Sequence, residues 1–292
     1  MSHLTAKLAE KYRVTDPKNF RIKHTDPGDT WKLKSKEEAH ELLEDGICRL
    51  CDLQAKLYAQ DSWGLLLIFQ AMDAAGKDGT IKHVMSGINP QGCEVYSFKA
   101  PTSTELDHDY LWRCLVSLPR RGRIGIFNRS YYEETLVVRV HPKLLAAEKI
   151  PKKLVTKHIW KERFEDINAL ERYLSRNGFL IRKFFLNISH EEQRKRFLSR
   201  LEESKKNWKF SPADAKERKY WDGYMEAYEE TIRHTSTGEA PWYVVPADNK
   251  WFTHLVVAGA IIETLESLGL AFPEVTPEQA KALEEARKIL EK

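Results

Sequence analysis

The segment Gly64 to Gln70 (GLLLIFQ) is a short unbroken apolar run that passes directly into Ala71-Met72-Asp73-Ala74-Ala75-Gly76-Lys77-Asp78-Gly79. A run of that length fills a strand buried on both faces. The small residues after it permit a tight loop, and the sequence from Lys77 to Ser86 continues as a helix. Strand, loop and helix in that order bring unpaired backbone N–H groups and the positive end of a helix dipole to one point, a cradle for an anion. Lys77 stands where a side chain reaches a transferred phosphoryl group. Measured against G-x-x-x-x-G-K-[ST], two positions differ: Ala71 replaces the first glycine, and Asp78 replaces the hydroxyl that holds magnesium. Asp73 offers instead an oxygen ligand of the hard kind Mg²⁺ takes. A small-residue turn beside a lysine is often only a turn, but its place between a buried strand and a helix favours the phosphate loop.

The pattern recurs in kind along the chain. Glu94 to Phe98, Arg123 to Phe127, Phe179 to Ile188 and Trp242 to Val245 read as further strands. Helical stretches separate them, among them Ser103 to Leu118, Tyr131 to Val138 and Pro151 to Asn177, with others at about Ser35 to Gln60, Phe252 to Leu268 and Pro277 to Leu290. Alternation of this type predicts an α/β fold: a three-layer sandwich around a parallel five-stranded sheet with right-handed crossovers. Residues 1–292 are expected to form one domain. Within it, residues 1–35 read as an irregular polar arm and about 191–235 as a helical lid inserted over the sheet.

Composition removes several classes. With 42% hydrophobic and 31% charged residues, the chain is neither disordered nor fibrous. No apolar run approaches the roughly 20 residues that span a bilayer, and the first residues lack the apolar region of a secretory signal. The expectation is a cytoplasmic protein with no membrane association. A formal net charge of +4 is too small for a nucleic-acid coat, so no nucleic-acid partner is expected. Cys48 and Cys51 form a C-x-x-C without a second pair, which favours core thiols over zinc.

Two stretches depart from the charge balance and are candidate polyanion contacts. One holds Arg120, Arg121, Arg123 and Arg129; the other runs from Arg194 to Lys209. The third strand ends in Asn128-Arg129-Ser130-Tyr131-Tyr132-Glu133-Glu134, where P-loop phosphotransferases carry an acid that acts on Mg²⁺. Asn128 is a neutral oxygen ligand, so the carboxylate work passes to Glu133, and Arg129 faces the phosphates as a bidentate clamp. In the lid, Arg196 and Arg200 are four apart and share a helical face, as a pair that closes over a phosphate chain would. Lys205, Lys206 and Lys209 extend the positive track beyond what one nucleotide requires, which points to a long anionic substrate.

Four ordered motifs now resemble a known family. They are A-M-D-A-A-G-K-D-G-T-I-K, F-N-R-S-Y-Y-E-E-T-L-V-V-R-V-H-P, F-F-L-N-I-S-H-E-E-Q-R-K-R-F, and T-S-T-x-x-A-P-W-Y-V-V-P-A-D-x-K-W. Together, from about Lys34 to Leu268, the chain is similar to the polyphosphate kinase 2 family. The resemblance implies a single P-loop kinase-like domain, reversible phosphoryl transfer between inorganic polyphosphate and ADP, with AMP and guanine nucleotides as further acceptors, and a homo-oligomer. It implies Mg²⁺, or Mn²⁺, held by Asp73, Asn128 and Glu133. Asp73, Lys77, Asn128, Arg129 and Glu133 are the expected catalytic set. Ala74, Ala75, Gly76, Asp78, Gly79, Lys82, Ser130, Arg139, Arg196 and Arg200 join Lys77 and Arg129 as expected phosphate contacts. The alternatives are an ATP-dependent nucleotide kinase on the same fold and a non-enzymatic polyanion-binding module.

Overall fold

In the computed structural model, which describes residues 2–33, 35–203, 207 and 210–291, the apolar run forms a strand, β1 (Gly64–Ala71), buried along its whole length. A strand covered on both faces belongs in the middle of a sheet. The other strands are β2 (Cys93–Ser97), β3 (Ile124–Asn128), β4 (Phe179–Asn187) and β5 (Trp242–Pro246). All pairings are parallel, in the order β2-β3-β1-β4-β5. Thus β1 is flanked by β3 and β4, and the order reverses around it. Open α/β sheets bind ligands outside the carboxyl ends of strands at such a reversal.

The helices, in chain order, are α1 (Ser2–Tyr12), α2 (Lys36–Gln60), α3 (Lys77–Val84), α4 (Ser103–Leu106), α5 (Trp112–Leu115), α6 (Val137–Val140), α7 (Pro142–Ala147), α8 (Ile159–Arg176), α9 (His190–Glu202), α10 (Pro212–Glu217), α11 (Trp221–Thr235), α12 (Lys250–Glu266) and α13 (Pro277–Leu290). Helix α12 is apolar on nearly every side and packs with α1, α2 and α3, while α6, α8 and α11 pack together as a second group. A helix apolar all round is stable only in a core, and α12 is the centre of that layer. No helix among the described residues is long and apolar enough to cross a membrane.

Three expectations need correction. Residues 1–35 are not irregular throughout, because α1 forms and buries Leu8 and Ala9 completely. After α1 the Val14 N–H donates to the Trp242 carbonyl at 2.8 Å, and Arg13 makes an antiparallel bridge to Tyr243 of the edge strand β5. The helix expected from Ser103 to Leu118 is two single-turn helices, α4 and α5. Of the segment read as a lid, α11 belongs to the core, with Tyr224, Ala227, Tyr228 and Ile232 buried. Among the described residues of that segment, Arg196, Ser199 and Arg200 of α9 and Asp214 of α10 line the space above the sheet edge. Lys205, Lys206, Trp208 and Lys209 lie outside the described residues. Cys48 is exposed and Cys51 half-buried on α2, so of the four thiols only Cys114 is buried.

Candidate active site

The strand register puts the ends of β2 and β3 level, Ser97 against Asn128, and β1 continues two residues past the Phe69–Asn128 pair to Ala71. From that edge the chain turns through Met72 to Gly76 and enters α3. Two residues of the turn take left-handed backbone angles, Ala74 at φ 64° and Gly76 at φ 107°. Glycine meets that demand freely, whereas alanine does so at some strain. Within the turn the Ala75 N–H donates to the Met72 carbonyl at 3.2 Å, and residues Asp73 to Gly79 line the space above the sheet. Lys77 curls back so that Nζ donates to the Ala71 carbonyl at 2.9 Å. Burial pulls its ammonium below the ordinary value; Arg129 adds to the effect, and Asp73, Glu133 and Asp78 oppose it.

At the end of β3, Arg129 also has a left-handed backbone, φ 66°, and its N–H donates to the Phe69 carbonyl at 3.0 Å. The strained residue therefore ends the strand and swings its side chain over the loop. Its Nη2 lies 3.3 Å from Asp73 Oδ1, and Nη1 lies 3.6 Å from Glu133 Oε2. Although burial works against it, Glu133 and Asp73 hold the guanidinium above its ordinary value. Glu133 itself is pushed up by burial, against the pull of Arg129 and Lys77. The Gln70 amide donates to Glu133 Oε1 at 2.9 Å and accepts from the Ser130 N–H at 3.1 Å.

The turn that presents Glu133 (Tyr131–Thr135) is a 3₁₀ helix, where the sequence predicted an α-helix. It is pinned from behind. The hydroxyls of Tyr131 and Tyr132 donate to Glu171 Oε1 at 2.9 and 2.7 Å, and Lys183 Nζ donates to Glu171 Oε2 at 2.5 Å. This lysine and glutamate are fully buried, so their charges are matched within the core and locked in place.

Asp78, which replaces the hydroxyl of the loop, and Asn128, which replaces the acid at the strand end, are partners. Asn128 Nδ2 donates to Asp78 Oδ1 at 2.7 Å. In the usual arrangement a hydroxyl on the loop meets a carboxylate at the strand end. Here the carboxylate is on the loop side and the neutral group is on the strand, so the pair is kept with its polarity exchanged. Nothing in a linear pattern announces this exchange, because the residues are 50 positions apart.

A cavity of about 840 Å³ opens above the loop, lined by Asp73 to Gly79, Asn128, Arg129, Arg200 and residues of β2, α10 and α12. Lys77, Lys99, Arg129, Arg200 and Lys250 outnumber Asp73, Asp78 and Asp214 on its walls. A second cavity of about 660 Å³ shares Lys99, Ala100 and Arg129 with the first and takes in Glu133, Val137, Val138 and Leu144. Arg129 thus stands where a basic chamber meets a more apolar one.

Not every expected residue reaches this junction. Arg196 is buried, and its five N–H groups are all spent: Nε on Glu192 at 2.8 Å, Nη1 on the carbonyls of Ala74 and Ala75, Nη2 on those of Ala247 and Asp248. It braces the loop and has no donor left for a phosphate chain. Ser130 is fully buried and caps the 3₁₀ turn by accepting from the Tyr132 N–H at 3.1 Å. Arg139 lines neither cavity and pairs with Glu230 on α11. Lys82 is exposed on α3 and also lines neither. Arg120 pairs with Glu94, and Arg121 donates to the carbonyls of Ser62 and Asn177 at the amino end of the sheet, away from the loop. Sequence reasoning missed Lys99 and Lys250. Their signal was position: each sits just past the end of a strand, where the sheet edge opens.

A phosphate loop on a β2-β3-β1-β4-β5 parallel sheet, with an arginine over it from the neighbouring strand, defines a phosphotransferase of the P-loop kinase-like class. The chain belongs to the polyphosphate kinase 2 family, whose model matches residues 32–270. It is 54% identical over 282 residues to an ADP-polyphosphate phosphotransferase of Rhodopseudomonas palustris, covering 94% of this chain and 98% of the relative. It is 46% identical over 272 residues to an AMP/ADP-polyphosphate phosphotransferase of Meiothermus ruber, covering 93% and 97%. The crystal structure of polyphosphate kinase 2 from Arthrobacter aurescens superposes with a TM-score of 0.86 at 39% identity, over 95% of this chain and 96% of that one.

Proposed function

We propose that the protein transfers the terminal phosphoryl group of inorganic polyphosphate, reversibly, to ADP and to AMP. The observation that carries this reading is the meeting of the two cavities at Arg129. A basic chamber over the phosphate loop suits a chain of phosphates; the adjoining, more apolar chamber suits a nucleoside, with its phosphates pointing to the junction.

Phosphoryl transfer has a loose transition state with charge on the equatorial oxygens, so positioning and neutralisation do most of the work. Arg129 is held ready by Asp73 and Glu133, and its guanidinium spans donor and acceptor phosphates when they enter. Lys77 leaves the Ala71 carbonyl for a phosphate oxygen, regaining a counter-charge in place of a neutral partner. No side chain is needed as a base, because the attacking oxygen of ADP or AMP is already anionic.

Among the described residues no three His, Cys, Asp or Glu side chains converge as a ready-made metal site. Mg²⁺ needs no such cage, since one or two carboxylates with phosphate and water suffice. Asp73 and Asp78 with Asn128 fit that donor set on the wall of the basic chamber. Glu133 fits less well, because Arg129 and Gln70 occupy its two oxygens. A divalent ion, Mg²⁺ or Mn²⁺, would supply further neutralisation of the phosphates there. Guanine nucleotides as acceptors, a cytoplasmic location and a homo-oligomeric assembly belong to the same reading, and sedimentation checks the last.

The test is ATP formation, read by luciferase, with purified protein, Mg²⁺ and polyphosphate and with ADP or AMP as the only nucleotide. ATP from both acceptors is expected. Activity only when a nucleoside triphosphate is supplied as donor would make the protein an ordinary nucleotide kinase, and binding without turnover would leave a polyanion-binding module.

A further inference from the structure

The carbonyl of Asp73 in the phosphate loop is held by a side chain that lines neither cavity. Gln193 on α9 is buried, and its Nε2 donates to the Asp73 carbonyl at 3.0 Å. At the other end of the same amide, Oε1 accepts from Arg218 Nη1 at 3.0 Å. Arg218 opens the 3₁₀ turn, Arg218–Tyr220, that joins α10 to α11. It is seated on the start of α9 by two further bonds, Nη1 to the His190 carbonyl at 3.2 Å and Nη2 to His190 Nε2 at 2.8 Å. The Gln193 amide therefore bridges the phosphate loop and the α10–α11 hinge.

The two ends of the bridge demand this kind of side chain. A guanidinium only donates and a carbonyl only accepts, so the group between them must accept at one end and donate at the other, as a carboxamide does in one orientation. The charge of Arg218 also polarises the amide and strengthens the N–H on the loop side. What is held is the peptide between Asp73 and Ala74. A trans peptide carries its C=O and N–H on opposite sides, so fixing the carbonyl fixes the Ala74 N–H too, next to the left-handed φ of 64° at Ala74. Arg196, three residues on along α9, holds the next two carbonyls, Ala74 and Ala75. Gln193 differs from it in depending on the hinge. Helix α10, which ends at that hinge, also gives Asp214 to the wall of the basic chamber.

We propose that Gln193 is a positioning residue through which the α10–α11 hinge sets the shape of the phosphate loop, so that phosphoryl transfer is fast only while Arg218 is seated on it. The consequence for rate rests on the phosphotransfer reading above; the coupling of hinge to loop rests on the bonds alone.

The experiment follows variants of the full chain through ADP phosphorylation from polyphosphate and through hydrogen–deuterium exchange of residues 72–79. Gln193→Glu keeps the size and the Arg218 contact but faces the Asp73 carbonyl with an acceptor. It should lower kcat by about 10- to 100-fold, the scale of one buried hydrogen bond, change KM for either substrate by less than about threefold, and speed exchange of the loop. Arg218→Met leaves Gln193 in place. Although Arg218 bonds to α9 and not to the loop, its loss should also speed exchange of 72–79 and lower kcat by about 3- to 10-fold. In a Gln193→Leu background, where the bridge is already cut, Arg218→Met should change neither reading further. A side chain that only stabilised the fold would lower the melting temperature and leave loop exchange and kcat as they were. That result for Arg218→Met, or additive effects in the Gln193→Leu background, overturns the proposal. Should Gln193→Glu fail to fold, Arg218→Met and Gln193→Leu decide the matter. No ATP from ADP in the unmodified protein would refute the phosphotransfer reading instead, and the exchange measurements would still decide whether hinge and loop are coupled.

Discussion

Arg129 and Arg196 reach the same loop from opposite sides, one from the end of β3 and the other from α9. Arg196 is saturated, with five donors on four backbone carbonyls and a glutamate. Arg129 holds two carboxylates loosely, at 3.3 and 3.6 Å, beside an open chamber. The first is part of the scaffold, because moving it would strand four buried carbonyls. The second is a clamp at rest, because incoming phosphates offer it better partners than those it leaves. Basic residues near a phosphate loop thus divide by how many of their donors are already committed.

The comparison is broken most sharply by truncating the clamp. Arg129→Ala should lower kcat/KM for ADP by about 10³-fold, the scale of a lost transition-state arginine, while a thermal melt shows the fold intact. Near-full turnover would remove Arg129 from the chemistry. Arg196→Ala should act in the reverse sense, destabilising the protein by about 3 kcal/mol in a urea titration, as buried polar partners are left unpaired. Arg196→Lys should not rescue it, since three donors cannot serve five acceptors. Arg200 lines the same basic chamber as Arg196 but has its guanidinium over the Phe197 ring rather than on backbone carbonyls, and should sort with Arg129. Arg200→Ala should raise KM for polyphosphate roughly tenfold, the equivalent of one charge-assisted hydrogen bond, with the melting curve unmoved.

The smallest effect concerns the acid beneath the clamp. Burial makes the charged form of Glu133 the disfavoured one in the folded chain. Its cost is therefore absent below the ordinary carboxyl value of 4.5 and grows as the pH rises past it. Glu133→Gln should raise the melting temperature at pH 7, flatten that part of the stability–pH curve and reduce turnover. A lower melting temperature at pH 7 would show that the pull of Arg129 and Lys77 outweighs burial.

Much of the architecture was legible because burial writes itself into composition: the strands at Gly64, Arg123 and Trp242 are apolar runs, and that at Phe179 is one broken only by Arg182 and Lys183. The loop and its lysine were legible for the same reason, as an interruption of one such run. The division between Arg196 and Arg200 was not, since residues four apart share a helical face whatever each one touches. What fixes Arg196 is a set of carbonyls from residues 74–75 and 247–248, far away in the chain. The α1 helix was missed because its visible pattern is polar, and among its described side chains Leu8 and Ala9 enter the core. The 3₁₀ turn at Tyr131 was missed because the tyrosines that shape it do so through Glu171 and Lys183, two elements further on.

The contact between α1 and the edge strand β5 bears on how the chain is completed during synthesis. Arg13 and Val14 dock on Trp242 and Tyr243, so a segment made early waits for more than 200 residues before its partner exists. Until then the last strand position is empty, and when β5 arrives its open rim is covered at once by the waiting segment. An uncovered rim is where sheets of different molecules join. The N-terminal segment therefore covers part of that rim, and changes to it should be felt first in the yield of soluble chain.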